Sequence, residues 1–152
     1  MENIKVLKHR KGAPGLRLLG LGPRLIPLLA MEKLQQLLNK NAFWAQHRSK
    51  REIKKMLSNS NVIVSVWKGK NIIGFGRALS DETYRAVLWD IVVDKDYHYL
   101  GIGKQIIDSI LENTLVSKAE KIYLMTTYCK EFYIKMGFKI ESNQTLMYIN
   151  QK

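Results

Sequence analysis

Apolar and polar positions change period several times along this chain, and each change marks an element. Ile4 and Val6 alternate with polar neighbours over Asn3 to Lys8, the spacing of a short half-exposed strand. Residues 11 to 27 hold four glycines and three prolines, so they read as an ordered loop around Leu16, Leu18, Leu19 and Leu21. From Leu29 to Asn39 the apolar residues Met31, Leu34, Leu37 and Leu38 share one helical face. Ser49-Lys50-Arg51-Glu52 is a capping box that opens a second helix, with Ile53, Met56 and Leu57 turned inward.

Strand spacing then takes over. Val62 to Trp67 and Ile72 to Leu79 flank the turn Lys68-Gly69-Lys70-Asn71, and a second hairpin through Asp81 to Tyr84 leads into the long run Arg85 to Val93. On that run a period of two puts Val87, Trp89 and Ile91 on one face and Leu88, Asp90 and Val92 on the other. A helix from 101 to about 115 carries Ile102, Ile106, Ile107, Ile110 and Leu111, and the strand Lys121 to Thr126 follows it. A strand, helix and strand in succession imply a parallel neighbour. A short helix from Tyr128 to Met136 closed by Gly137, and a last strand near Leu146 to Ile149, complete the expected α/β domain, a mixed central sheet flanked by helices.

Composition narrows the class without naming a chemistry. A chain of 152 residues with 46% apolar content can bury one core, so a single domain 1–152 is expected, preceded over 1–28 by a basic, Gly/Pro-rich segment. Apolar stretches fall far short of the ~20 residues of a membrane span, and Pro14, Pro23 and Pro27 interrupt the only patch a signal peptide would use. The expected location is cytoplasmic, or the plastid stroma for a plastid-encoded chain, and no membrane partner is expected. Lone Cys129 excludes an internal disulfide and suits a small packing residue in a reducing compartment. Net charge is +12, and residues 1 to 60 hold thirteen basic residues against three acids. No groove-reading motif stands beside that charge, so no specific nucleic-acid partner is expected, and no spacing of metal ligands is present.

Chemistry concentrates after the long run. Trp89-Asp90-Ile91-Val92-Val93 leads to His98-Tyr99-Leu100-Gly101-Ile102-Gly103-Lys104, a glycine turn opening a helix, where converging backbone N–H groups can hold a pyrophosphate. The dinucleotide motif G-x-G-x-x-G is incomplete, since Ile106 stands at its third glycine, and no P-loop frame surrounds Lys104. About thirty residues on comes Phe132-Tyr133-Ile134-Lys135-Met136-Gly137-Phe138.

Together these segments resemble motifs A and B of the GNAT superfamily of acetyl-CoA-dependent N-acetyltransferases. Trp67, Gly74, Arg77-Ala78, Ser80-Asp81, Trp89 to Asp94 and Phe132-Tyr133 are similar to the cyanobacterial and plastid branch that includes plant serotonin N-acetyltransferase. His98 departs from the Gln or Arg usual at the first position of the phosphate loop. The resemblance implies acetyl-CoA as cosubstrate and no metal, with backbone groups at Ile91, Val92 and Val93 on the pantetheine arm and thioester. It places the pyrophosphate on Tyr99, Leu100, Gly101, Ile102, Gly103 and Lys104, with His98 turned to the ligand. Lys104 adds a charge to a phosphate or is a plain helix-surface lysine. Thr126 and Thr127 stand where relatives place an Asn or Asp near the cofactor.

Tyr133 is the implied general acid, its phenol donating to the departing thiolate. Asp90, on the face opposite Trp89, is expected to be a structural carboxylate paired with a backbone amide or an arginine, which leaves water or the amine itself to handle the other proton. Trp89 and the pair Phe43-Trp44 supply flat surface to an acceptor, either an arylalkylamine such as serotonin or a protein lysine or N-terminus. A non-catalytic basic binding module on the same fold is the alternative outside enzymology. Monomer and homodimer both remain open.

Overall fold

The computed structural model describes residues 3–9 and 27–151; most of the basic Gly/Pro-rich segment, including the loop expected over 11 to 27 except Pro27, lies outside the described residues. Five strands form one sheet in the order of the chain, β1 (Ile4–His9), β2 (Val62–Lys68), β3 (Asn71–Ser80), β4 (Arg85–Val93) and β5 (Lys121–Tyr123). The first four make an antiparallel meander, and β5 joins β4 in parallel. This is the mixed sheet that the spacing predicts.

Helices cover both faces. α1 (Pro27–Asn41) and α2 (Lys50–Ser58) lie on one side, where Leu34, Leu38, Ile53 and Leu57 pack with Trp67 and Phe75. The capping box of α2 is complete, with the Ser49 amide donating to Glu52 Oε2 at 2.8 Å and the Glu52 amide to Ser49 Oγ at 3.2 Å. α3 (Ile102–Leu111) covers the other side with Ile102, Ile106 and Ile110 against Val64, Val66, Ala78 and Leu88. The helix expected to reach about 115 stops at Leu111, because the Asn113 side chain accepts from the Leu115 amide at 3.0 Å and caps a separate turn, α4 (Thr114–Ser117).

One irregularity organises the molecule. Phe75 pairs with Val92 and Arg77 with Trp89, so Asp90 and Ile91 together oppose Gly76, and Asp90 takes a φ of 52°. That is a β-bulge, and its extra residue reverses the inside–outside parity of β4. Ala86 and Leu88 face α3 before the bulge, whereas after it Val92 faces α1 and α2 while Ile91 and Val93 turn toward α3. The strict alternation expected over Val87 to Val92 is therefore broken at Asp90. A Cβ on Gly76 would lie 2.6 Å from Ile106 Cγ2 and 2.8 Å from Ile91 Cδ1, so α3 sits directly on the bulge. Gly76→Ala is expected to cost about 1–3 kcal/mol through overpacking, read as a lowered Tm; an unchanged Tm would show that α3 can shift freely.

The far edge of the sheet differs most from expectation. β5 ends at Tyr123 rather than Thr126, and residues 146–149 form no strand. Leu146, Met147, Tyr148 and Ile149 suit a strand by propensity, but among the described residues no backbone pairs with them, and their side chains are 71–86% exposed. α5 (Lys130–Lys135) is followed by Gly137 at φ 94°, where the Gly137 and Phe138 amides bond the carbonyls of Ile134 and Tyr133 at 3.0 Å each.

Candidate functional site

β4 and β5 share pairing only from Arg85 to Val87 against Lys121 to Tyr123. Beyond that point the two strands part, and the backbone of β4 from Leu88 onward faces a cleft instead of a neighbour. The cleft, of about 420 Å³, is lined by Leu88 to Ile91 on one wall and by Leu124 to Cys129 with Tyr133 on the other. Parting leaves main-chain N–H and C=O groups available to a ligand without any particular side chain. The bulge lies within this parted stretch of β4.

At the far end of β4 the glycine turn begins. A short 3₁₀ turn, Lys95–Tyr97, is capped by the Asp94 carboxylate, and Lys40 from α1 bridges Asp94 at 2.9 Å and Asp96 at 2.7 Å. Tyr99 at φ 64° and Gly101 at φ 77° then turn the chain sharply into α3. The first amide to bond back along that helix is Gln105 to the Gly101 carbonyl, at 3.0 Å, so the N–H groups of Ile102, Gly103 and Lys104 have no helical acceptor. Nothing lies within 4 Å of a Cβ built on Gly101, whereas one on Gly103 would lie 3.2 Å from Phe132 Cζ. The first glycine is thus required by its backbone angle and faces open space; the second lets α5 approach α3.

Two side chains of the turn are already engaged. His98 Nε2 donates to the Val93 carbonyl at 3.0 Å, which ties the turn to the end of β4 and uses that carbonyl. Lys104 bridges Asp108 one turn along α3, an exposed ion pair on the helix surface. Ile102 is buried under the sheet and offers only its amide, while Tyr99 and Leu100 project into solvent.

On the opposite wall, Thr126 Oγ1 accepts from the Cys129 amide at 3.1 Å and fixes the chain as it enters α5. Thr127 lines the cleft beside it. Cys129 is exposed, contrary to the packing role expected, because α5 starts at Lys130 and leaves that residue on the cleft rim. Tyr133 is buried between Phe132 and Phe138, at ring separations of 5.1 and 5.9 Å, and its ring borders the cleft. Burial, with a smaller contribution from Cys129, pushes its phenol up to about 12.

Asp90 is the surprise of the site. Because of the bulge it lies on the same side as the segment that carries Trp44, with only 2% of its side chain exposed. Oδ1 accepts from Trp44 Nε1 at 3.0 Å, and Oδ2 accepts from Arg48 at 2.9 Å and Arg77 at 2.8 Å. Burial pushes the carboxyl up, but hydrogen bonds from the two guanidiniums and their charge outweigh it and hold the group below its ordinary value. The expected arginine partner is thus real and doubled; the expected orientation away from the acceptor side is not. Trp44 was legible as a candidate, but its anchor was not. Phe43 meets Trp44 edge to face at 5.1 Å and Tyr128 at 6.1 Å across the cleft, and with the half-exposed Trp89 they form an aromatic rim. Tyr128 was not singled out for this rim by sequence, whereas Trp89 and the pair Phe43-Trp44 were.

Residues 58–140 match the acetyltransferase (GNAT) domain family. The chain belongs to the GNAT acetyltransferase family. An uncharacterized N-acetyltransferase, ycf52, of Pyropia yezoensis is 32% identical over 96 residues, covering 60% of this chain and 55% of that protein. A ycf52-like relative in Prochlorococcus marinus is 30% identical over 123 residues, covering 78% of this chain and 66% of that protein. The chain therefore spans about half to two thirds of these relatives' length. A probable acetyltransferase of unknown function from meticillin-resistant Staphylococcus aureus shares the fold, with a TM-score of 0.73 over 97% of this chain and 99% of that one at 22% identity.

The GNAT match takes in the bulged strand, the glycine turn, α3 and α5, but stops short of residues 43–48 and of everything after 140. Trp44 and Arg48, the two contacts of Asp90 outside the sheet, belong to the unmatched part. Among the described residues no group of three or more His, Cys, Asp or Glu is arranged to hold a metal, and no helix is long and apolar enough to cross a membrane.

Proposed function

We propose that this GNAT domain transfers the acetyl group of acetyl-CoA to a primary amine with a flat apolar body, an arylalkylamine such as serotonin. The observation that carries this reading is the parting of β4 from β5 beside a glycine turn, with the Tyr133 ring on the facing wall. Backbone groups of Ile91 and Val92 fit a pantetheine arm along the open strand, and the unpartnered amides from Ile102 to Lys104 fit a pyrophosphate. Gly101 leaves the approach clear, and α3 directs the positive end of its dipole there. His98 positions the turn by way of the Val93 carbonyl, and Lys104 adds a screened positive charge nearby.

In the transfer, the amine nitrogen bonds to the thioester carbonyl carbon, the C–S bond breaks, and the leaving thiolate takes a proton. Tyr133 supplies that proton or the hydrogen bond that precedes it. The amine must lose one of its own. Asp90 is ill suited to take it, since both oxygens are already bonded and its charge is held by two arginines. Water, or an amine that arrives neutral, serves instead. The aromatic rim of Phe43, Trp44, Trp89 and Tyr128 favours an aryl group in the acceptor position.

Turnover of acetyl-CoA across a panel of arylalkylamines, polyamines, lysine peptides and N-terminal peptides tests the reading. Preference for arylalkylamines supports it; preference for lysine peptides transfers it to protein acetylation, and absence of turnover with every acceptor points to a binding module. Gly101→Val provides a second check. A β-branched residue at φ 77° is strained wherever the side chain points, so the turn should reshape and the KM for acetyl-CoA should rise about 10-fold or more. A folded Gly101→Val chain with parental KM would remove the turn from the cofactor site.

A further inference from the structure

Lys40 and Asn41, neighbours in the last turn of α1, reach across to the chain between β4 and α3. Asn41 Nδ2 donates to the Leu37 carbonyl at 3.0 Å, which turns Oδ1 outward to accept from the Lys95 amide at 3.0 Å. Lys40 Nζ donates to both oxygens of Asp94, at 2.9 and 3.1 Å, and to Asp96 Oδ2 at 2.7 Å. Its three N–H donors are thus given to two carboxylates of one 3₁₀ turn. The bonds inside that turn are short-range, the Tyr97 amide to the Asp94 carbonyl at 2.8 Å and the Asp96 amide to Asp94 Oδ1 at 3.1 Å, so they shape the turn without fixing where it stands. Its position is set from α1, from the Asp94 amide bonded to the Ile73 carbonyl at 2.9 Å, and from Lys68 over the Tyr97 ring.

Charge makes the same point as geometry. Asp94 and Asp96 stand beside the C-terminal, negative end of α1, and the glycine turn follows them directly. Residues 94 to 97 carry Asp94, Lys95 and Asp96, a net charge of −1, and Lys40 brings the group to zero. A ligand with several phosphate charges is repelled by like charge within a Debye length, about 10 Å at 0.1 M salt, so a neutral approach favours it. Lys40 stands above its ordinary value, raised first by the hydrogen bonds to Asp96 and Asp94, and Asp96 stands below its own through the bond to Lys40; both are charged at neutral pH. The side chains of Lys40 and Asp96 are 42% and 63% exposed, and ion pairs so exposed add little to stability. The arrangement suits placing the turn more than holding the fold.

We propose that Lys40 is a positioning residue for the cofactor: it holds and neutralises the start of the glycine turn so that the amides opening α3 meet the pyrophosphate of acetyl-CoA. The inference rests on the acetyl-CoA reading above. Lys40 acts through Asp94 and Asp96 and touches no ligand itself. Asp94 continues β4, whose backbone takes the pantetheine arm, and Asp96 precedes His98, whose ring is bonded to the Val93 carbonyl at 3.0 Å. A shift at this turn is therefore passed to the phosphate-facing amides over only a few residues.

The effect of removing Lys40 is bounded on both sides. The Asn41 bond to the Lys95 amide, the Asp94 bond to β3 and the Lys68 contact all persist, so the turn relaxes without unravelling. Phe43 and Trp44 follow closely in sequence, but Trp44 is anchored separately through Nε1 to Asp90 Oδ1 at 3.0 Å. Loss of Lys40 should reach the cofactor and spare the amine.

Lys40→Met tests this, compared with the unaltered chain in steady-state kinetics and in calorimetry with CoA. At low ionic strength the KM for acetyl-CoA and the Kd for CoA should each rise about 3- to 10-fold, the scale of one lost charge near a polyanion, and the gap should narrow as salt is added. Saturated kcat and the KM for the amine should stay near parental. With S-acetylpantetheine, a thioester arm without the pyrophosphate, kcat/KM should be the same in both chains, and Lys40→Arg should restore most of the affinity for CoA. Parental KM and Kd in Lys40→Met overturn the proposal, as does an equal loss with S-acetylpantetheine. A Lys40→Met chain that does not fold also overturns it, since Lys40 would then hold the fold. Calorimetry needs no acceptor and so keeps the two readings apart. Binding of CoA without turnover would count against acetyl transfer while the Kd ratio still decides the role of Lys40; an unaltered chain that binds no CoA overturns both.

Discussion

Tyr133→Phe is expected to lower kcat roughly 10- to 1000-fold while the KM for acetyl-CoA stays near the parental value, because it removes a proton donor and leaves the ring in place. The ring is where the packing lies, at 5.1 Å from Phe132 and 5.9 Å from Phe138, so the fold should persist. The phenol is pushed up to about 12 from its ordinary 10.0, above the unfolded value. The stability linked to that shift is fully present below pH 10 and is lost only as pH rises through 12. Between pH 7 and 9, then, any loss in the variant is chemical.

An elevated phenol also constrains what Tyr133 can do. A thiol of the ordinary ~8.5 gives up its proton more readily than this phenol, so complete transfer to the leaving sulfur is uphill unless the desolvated cleft raises the sulfur as well. The stronger contribution is a preorganised O–H directed at sulfur as negative charge develops there, a hydrogen bond worth more in a dry cleft than in water. On this account kcat has no basic limb from Tyr133 below pH 10. Parental turnover by the Phe variant across pH 7 to 9 would assign the proton to water or the substrate.

Much of this arrangement is legible in the chain, and the reasons differ by element. The capping box over Ser49 to Glu52 states its helix outright, since both of its hydrogen bonds are local. The hairpins and the glycine turn are also local, set by backbone angles that few residues adopt. What escaped are features decided between distant segments. The bulge depends on how Gly76, Ile91 and Ile106 meet in space, and no composition at Asp90 announces it. Missing the bulge turned Asp90 to the wrong side and hid its bond to Trp44. The strand expected near Leu146 to Ile149 failed for a related reason: propensity was present, but a strand also needs a neighbour, and the described chain provides none.

Asp90 carries the other large expected effect. Its carboxylate holds Arg48, Arg77 and Trp44 together, so Asp90→Ala leaves two guanidiniums facing each other beside an empty acceptor. Loss of one partner from such a buried pair costs about 3–5 kcal/mol, a large share of the ~5–15 kcal/mol that stabilises a domain of this size. Tm should fall by roughly 6 to 20 °C. Asp90→Asn keeps the shape and one acceptor oxygen, and should fall less.

The Asn variant also separates positioning from chemistry. Trp44 lines the cleft and Arg48 lies on the same segment, so on the proposed reading loosening it should raise the KM for the amine several-fold while the KM for acetyl-CoA hardly moves. The sign with pH follows from the carboxyl being held below its unfolded value near ~3.9. Its stabilisation is present above that value and is lost as pH falls through the lower folded value, so the acid-induced loss of stability should be larger in the parental chain than in Asp90→Asn. A normal Tm with abolished turnover in Asp90→Asn would make this carboxylate the base after all, and would require one of its oxygens to be released from Trp44 or the arginines when the amine binds.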